Sequence, residues 1–110
     1  MPWDIEYPFP DVIEHIKGLQ EPTRNKVVRA LELLEEHGPR LPPPHSKMLG
    51  EGIHELRTSG SPPQRLYYAF QSGLRIVVLH AAVKGGGQRG GKRRQKADIG
   101  LARTRLQSLR

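Results

Sequence analysis

The chain has 110 residues, 35% of them hydrophobic and none of them cysteine, with a formal net charge of +7 at pH 7. A chain of this length buries one modest core, which excludes a large multi-substrate enzyme, and without cysteine it holds neither a disulfide framework nor a thiolate metal site. The charge is uneven: residues 1–83 carry nine Lys or Arg against ten Asp or Glu, whereas residues 84–110 carry nine against the single Asp98, so a near-neutral body is followed by a tail suited to a polyanion.

Met1 leads directly into Pro2-Trp3-Asp4-Ile5-Glu6 with no apolar stretch of signal or membrane length, and an unexported, cytoplasmic protein is expected. Trp3 to Tyr7 alternates apolar and polar residues and stops at Pro8, which predicts a short edge strand. After Pro10, the spacing of Val12, Ile13, Ile16 and Leu19 predicts a helix. A second helix runs from Pro22 in its first turn, with Val27, Ala30, Leu31 and Leu34 on one stripe, to a stop at Gly38-Pro39. The two form a helical hairpin expected to cover one face of a sheet, with Glu32, Glu35 and Glu36 on its wet side.

Pro42, Pro43 and Pro44 make a stiff extended connector, since proline removes backbone donors and fixes φ. Beyond it His45 and Lys47, two apart, share a side if the stretch stays extended. Strands are predicted over 53–58, 64–71 and 74–83, separated by Ser59-Gly60-Ser61-Pro62-Pro63 and by Ser72-Gly73, and they form an antiparallel meander. The two-residue period places Leu66, Tyr68 and Phe70 in the core and leaves Arg57, Arg65 and Tyr67 on the opposite face, expected to be uncovered. The last strand is apolar on both sides, and its pattern leaves the side of His80 open. Five glycines in residues 85–91 predict a mobile, basic Gly/Arg-rich segment over about 85–96. A last helix resumes at about Lys92, with Ile99, Ala102, Leu106 and Leu109 on one stripe. The whole is expected to be one domain, 1–110.

Arg, Lys, His and Tyr on short strands suit metal-independent cleavage of RNA. The 2′-hydroxyl must lose its proton and attack the neighbouring phosphorus, the leaving 5′-oxygen must gain a proton, and cations must hold the added negative charge. Arg57 and Arg65 are phosphate-clamp candidates, because a guanidinium fork matches two phosphate oxygens. A surface salt bridge with Glu55 is the competing reading. His45 and His80 are the proton-transfer candidates. Lys47 and Lys84 are placed to stabilise charge, and Tyr67 to stack on a base or donate its hydroxyl. Arg89, Lys92, Arg93, Arg94 and Lys96 are the RNA-binding candidates of the tail. His45, His54 and His80 lack metal-ligand spacing, and Gly85-Gly86-Gly87 before Lys92 lacks the Gly-Lys-Ser/Thr ending of a phosphate loop, so neither metal nor cofactor is expected.

In order and spacing, the strand, the two helices, the Pro-rich connector, His45-Ser46-Lys47-Met48-Leu49, Glu55-Leu56-Arg57, Arg65-Leu66-Tyr67-Tyr68 and Val78-Leu79-His80-Ala81-Ala82-Val83-Lys84 resemble the RelE/HigB superfamily of toxin ribonucleases. The likeness covers about residues 3–84 and, loosely, the last helix. Leu31 to Pro39 and Pro43-Pro44-His45-Ser46-Lys47 resemble its phage-derived, HigB-like branch. The resemblance implies an α+β domain: a small antiparallel sheet of about four strands with a mixed edge, the helical hairpin on one face, and a C-terminal helix. It also implies a toxin that enters the ribosomal A site beside 16S rRNA and cuts translated mRNA, neutralised by a helix-turn-helix, HigA-like antitoxin. Carried across, the basic site falls on Arg57, Arg65 and Lys84, with Arg65 the main phosphate clamp, while His45, Lys47, Tyr67 and His80 match positions typical of the branch and the base stays unassigned. The chain departs from the family after Lys84, where a longer Gly- and Arg-rich insertion precedes Asp98. A non-catalytic nucleic-acid-binding or toxin–antitoxin regulatory module is the alternative.

Overall fold

In the computed structural model, residues 2–43, 45–84 and 88–110 are described, the side chains of 88–92 excepted. The elements follow in the order β1 (Asp4–Glu6), α1 (Pro10–Lys17), α2 (Glu21–His37), a 3-10 turn (Gly38–Arg40), β2 (Ser46–Gly50), β3 (Ile53–Thr58), β4 (Gln64–Gln71), β5 (Arg75–Val83) and α3 (Gln88–Ser108). Proline in the first turn starts α1 and α2, where a missing N–H costs nothing. Gly38 ends α2 with φ +55°, and a Cβ there would lie 2.2 Å from Nε1 of Trp3, so only glycine lets the N-terminal segment cross so closely.

The five strands form one sheet in the order β1-β5-β4-β3-β2, with β1 parallel to β5 and every other pair antiparallel. The fold is therefore α+β with a mixed edge, as expected, but with five strands rather than about four. The added strand is β2, in the stretch that follows the proline connector. It pairs Ser46 with Leu56, Lys47 with Glu55 and Met48 with His54, and Met48 is 74% exposed at the sheet edge. Such a short, solvated strand carries no apolar alternation for the sequence to betray.

Two cores flank the sheet. On one side Val12, Ile16, Val27, Leu31 and Leu34 of α1 and α2 pack on Leu56, Leu66, Tyr68, Ile76 and Val78. On the other, Ala102 and Leu106 of α3 pack on Ile53, Tyr67, Ala69, Val77 and Leu79. This second layer corrects the expectation of an uncovered face: α3 lies over it, and Tyr67 is completely buried. Of the predicted α3 stripe, Ala102 and Leu106 are buried and Leu109 is exposed. The segment expected as a loop over 85–96 is helical from Gln88 onward, four residues before the Lys92 at which the pattern resumes. Gln, Arg and Lys are good helix formers, and the helix continues through Gly90 and Gly91 although each costs about 1 kcal/mol relative to Ala. Pro44 and Gly85-Gly86-Gly87 lie outside the described residues. No helix among the described residues is long and apolar enough to cross a membrane.

Candidate active site

Three antiparallel strands and the edge strand set polar side chains in two rows beneath α3. In one row Lys47, Glu55, Tyr67 and His80 are successive cross-strand partners. In the next, Arg57, Arg65 and Ala82 are. The period of two turns Glu55 and Arg57 to this face of β3 and Arg65 and Tyr67 to this face of β4. His80 joins them through a β-bulge: Tyr67 opposes His80 while Tyr68 opposes Val78, which leaves Leu79 as the extra residue. A bulge lets two successive residues turn to the same face. Leu79 accordingly packs in the α3 core, and His80 bonds to α3.

Arg57 and Arg65 face each other across adjacent strands, an arrangement that repels unless an anion is shared. Glu55 is that anion. Its carboxylate is completely buried, accepts the Nε–H of Arg57, accepts a second hydrogen bond from Nε2 of Gln95 at 2.9 Å, and lies 3.7 Å from Nε of Arg65 as an ion pair. The predicted pairing of the arginines with Glu55 is thus present, but around an interior carboxylate instead of on the surface. Two guanidiniums and one carboxylate leave this cluster positive by one, a charge that the neighbouring Asp98 carboxylate offsets, with the Arg57 side chain 38% and the Arg65 side chain 14% exposed.

Tyr67 and His80 stack beside this cluster, their ring centroids 6.0 Å apart and 15° from parallel. Burial pushes the Tyr67 phenol up to about 12, the Glu55 and Asp98 carboxylates push the same way, and the Arg65 guanidinium opposes them. At neutral pH it is a proton donor. His80 places Nε2 2.9 Å from Oδ1 of Asp98 on α3. Among the described residues the buried side-chain polar atoms without a partner are Nε of Arg65, the hydroxyl of Tyr67 and Nδ1 of His80, all on this face. Each such atom costs about 1–3 kcal/mol when left unpaired, and all three are buried on the sheet face that α3 covers.

Arg57, Arg65, Tyr67 and His80 are therefore brought together. Lys47 is exposed on β2 across from Glu55, and Lys84 is exposed two residues beyond the Ala82 that opposes Arg65. His45 lies next to Arg57 but outside the buried cluster: its carbonyl accepts the Arg57 N–H at 2.8 Å, and together with Arg57 it lines a cavity of about 300 Å³ with Lys26, Arg29, Leu33 and Ser59. Arg93, Arg94 and Lys96 are exposed on α3, while the side chains of Arg89 and Lys92 lie outside the described residues. Sequence reasoning missed Gln95 and Asp98 as members of the site and did not anticipate that Glu55 is its centre. Asp98 carried a signal, as the single acid among residues 84–110. Gln95 carried none.

The profile of the family described as "Phage derived protein Gp49-like (DUF891)" matches residues 14–107. Among solved structures, an arginine-to-alanine double mutant of the E. coli toxin RelE in the free state is similar to this chain with a TM-score of 0.62 and 13% sequence identity, over 90% of this chain and 96% of that one. Among curated proteins nothing matches the sequence.

Proposed function

Because the chain belongs to the phage-derived Gp49-like family and has the RelE fold, which together place it in the RelE/HigB superfamily, we propose that it is the toxin of a type II toxin–antitoxin pair and acts as a ribosome-dependent mRNA endoribonuclease. The observation that carries this reading is the clustering of Arg57, Arg65, Tyr67 and His80 on one sheet face, where Arg65 Nε, the Tyr67 hydroxyl and His80 Nδ1 have no partner among the described residues. They are the groups that cleavage by the 2′-hydroxyl requires. Arg57 and Arg65 hold the scissile phosphate and its developing charge. His80 moves a proton at Nδ1, and the Tyr67 phenol donates a hydrogen bond. No step calls for a metal ion, and the products are a 2′,3′-cyclic phosphate and a 5′-hydroxyl.

The exposed Arg93, Arg94 and Lys96 of α3, together with Lys84, supply the electrostatic grip on 16S rRNA in the A site. A helix-turn-helix, HigA-like antitoxin is the proposed partner. The test is a translation extract given the protein and a reporter mRNA, with cleavage mapped by primer extension with and without ribosomes. Cleavage only on translated mRNA is expected, and intact mRNA in both arms would overturn the activity. One observation favours a second reading, a non-catalytic nucleic-acid-binding module: Glu55 already occupies the guanidinium of Arg57. Salt-dependent RNA binding with no cleavage on translating ribosomes would select it.

A further inference from the structure

The C-terminal helix does more than cover the sheet. Gln95 and Asp98, three residues apart, lie on one face of α3 and reach two different strands, Gln95 to Glu55 of β3 and Asp98 to His80 of β5. Seven residues further on, Arg105 donates from one guanidinium nitrogen to the carbonyl of Leu79 at 2.8 Å and from the other to Asp11 at 3.0 Å. Leu79 is the bulged residue immediately before His80. One helix therefore holds His80 twice, by its ring and by the backbone that presents it. Ala102 and Leu106, both buried, hold α3 in register for these contacts.

We propose that Asp98 is a positioning residue for His80: it fixes the ring in the Nε2–H tautomer, which leaves the buried Nδ1 as a bare lone pair on the ring that stacks on Tyr67. An ionised carboxylate only accepts hydrogen bonds, so the nitrogen 2.9 Å from Oδ1 of Asp98 carries the hydrogen, and in a neutral imidazole the other nitrogen then has none. That other nitrogen is the buried Nδ1 without a partner among the described residues. Stacking on Tyr67 holds the ring plane. The proposal rests on the ribonuclease reading of this site. In that reaction Nδ1 takes the proton of the 2′-hydroxyl as the 2′-oxygen bonds to phosphorus and the bond from phosphorus to the 5′-oxygen breaks. The 5′-oxygen gains a proton from water, and the imidazolium returns its own to water, so protons balance.

The experiment combines two readouts on the full chain: the His80 tautomer by long-range nitrogen–proton NMR, and single-turnover cleavage of mRNA on saturating ribosomes. The wild type is expected to show Nε2–H. Asp98→Asn, nearly isosteric but able to donate from its amide, is expected to shift the ring toward Nδ1–H and slow cleavage at least about 10²-fold with ribosome affinity unchanged. Asp98→Glu is expected to recover part of the rate and the Nε2–H form. A wild type that cleaves while carrying Nδ1–H, or an Asp98→Asn protein that cleaves at the wild-type rate, overturns the proposal and leaves the ribonuclease reading standing. A wild type that never cleaves overturns that reading and, with it, the role of Asp98.

Discussion

Gln95 donates from Nε2 to Oε2 of Glu55 at 2.9 Å, and this bond ties α3 to the carboxylate that already holds Arg57 and Arg65. The layer that covers the sheet and the charges beneath it are thereby one unit. Removing one partner of a buried charge cluster leaves the others uncompensated, which typically costs about 3–5 kcal/mol. Glu55→Ala is therefore expected to lower the unfolding free energy by about 3 kcal/mol. Glu55→Gln, which keeps an acceptor oxygen, is expected to cost less. Urea unfolding measures both, and a Glu55→Ala protein as stable as the wild type would show that the carboxylate does not hold the arginines.

Tyr67 makes the opposite prediction. Its hydroxyl is buried without a partner among the described residues, so Tyr67→Phe removes an unsatisfied group, leaving stability unchanged or raised by about 1 kcal/mol, while cleavage falls. The alkaline limb is also affected. The phenols of Tyr67 and Tyr68 are pushed up to about 12 from an ordinary 10, chiefly by burial. The unfolded chain therefore loses these protons first. The contribution of these phenols to stability should be level below pH 10 and should fall between 10 and 12, by up to about 1.4 kcal/mol per pH unit for each phenol. Tyr67→Phe is expected to remove one proton from that slope, read from urea midpoints at stepped pH.

Arg93, Arg94 and Lys96 are exposed, and among the described residues none of them bonds to Glu55, so their loss should weaken RNA binding without disturbing the fold. For single-stranded RNA each lost phosphate contact lowers the slope of log affinity against log salt by about 0.7. The triple alanine variant is expected to lower it by about 2, with an unchanged unfolding midpoint. An unchanged slope would place the polyanion surface elsewhere on the molecule.

The strands of the meander were legible because turn residues bound them: β3 and β4 coincide with the predicted 53–58 and 64–71. What escaped depends on contacts between distant residues. The side of His80 is set by a bulge at Leu79, inside a strand that is apolar on both faces. Tyr67 obeys the predicted period yet is buried, because whether a face is wet depends on where α3 docks. Glu55 looked like a surface partner for arginine, and only the packing of three strands and a helix turns it into an interior one. Arg57 and Arg65 were legible as a pair because β3 and β4 bring them opposite each other in the predicted hairpin.

The proposed cleavage is attack of the 2′-hydroxyl on a phosphate held by Arg65. Translating ribosomes loaded with a defined mRNA, incubated with wild type or Arg65→Ala, measure it most directly when the ends of every fragment are identified. Fragments with 2′,3′-cyclic phosphate and 5′-hydroxyl ends are expected from the wild type, and cleavage about 10²–10³-fold slower from Arg65→Ala. Fragments with 5′-phosphate ends, or equal cleavage by the two proteins, would contradict it.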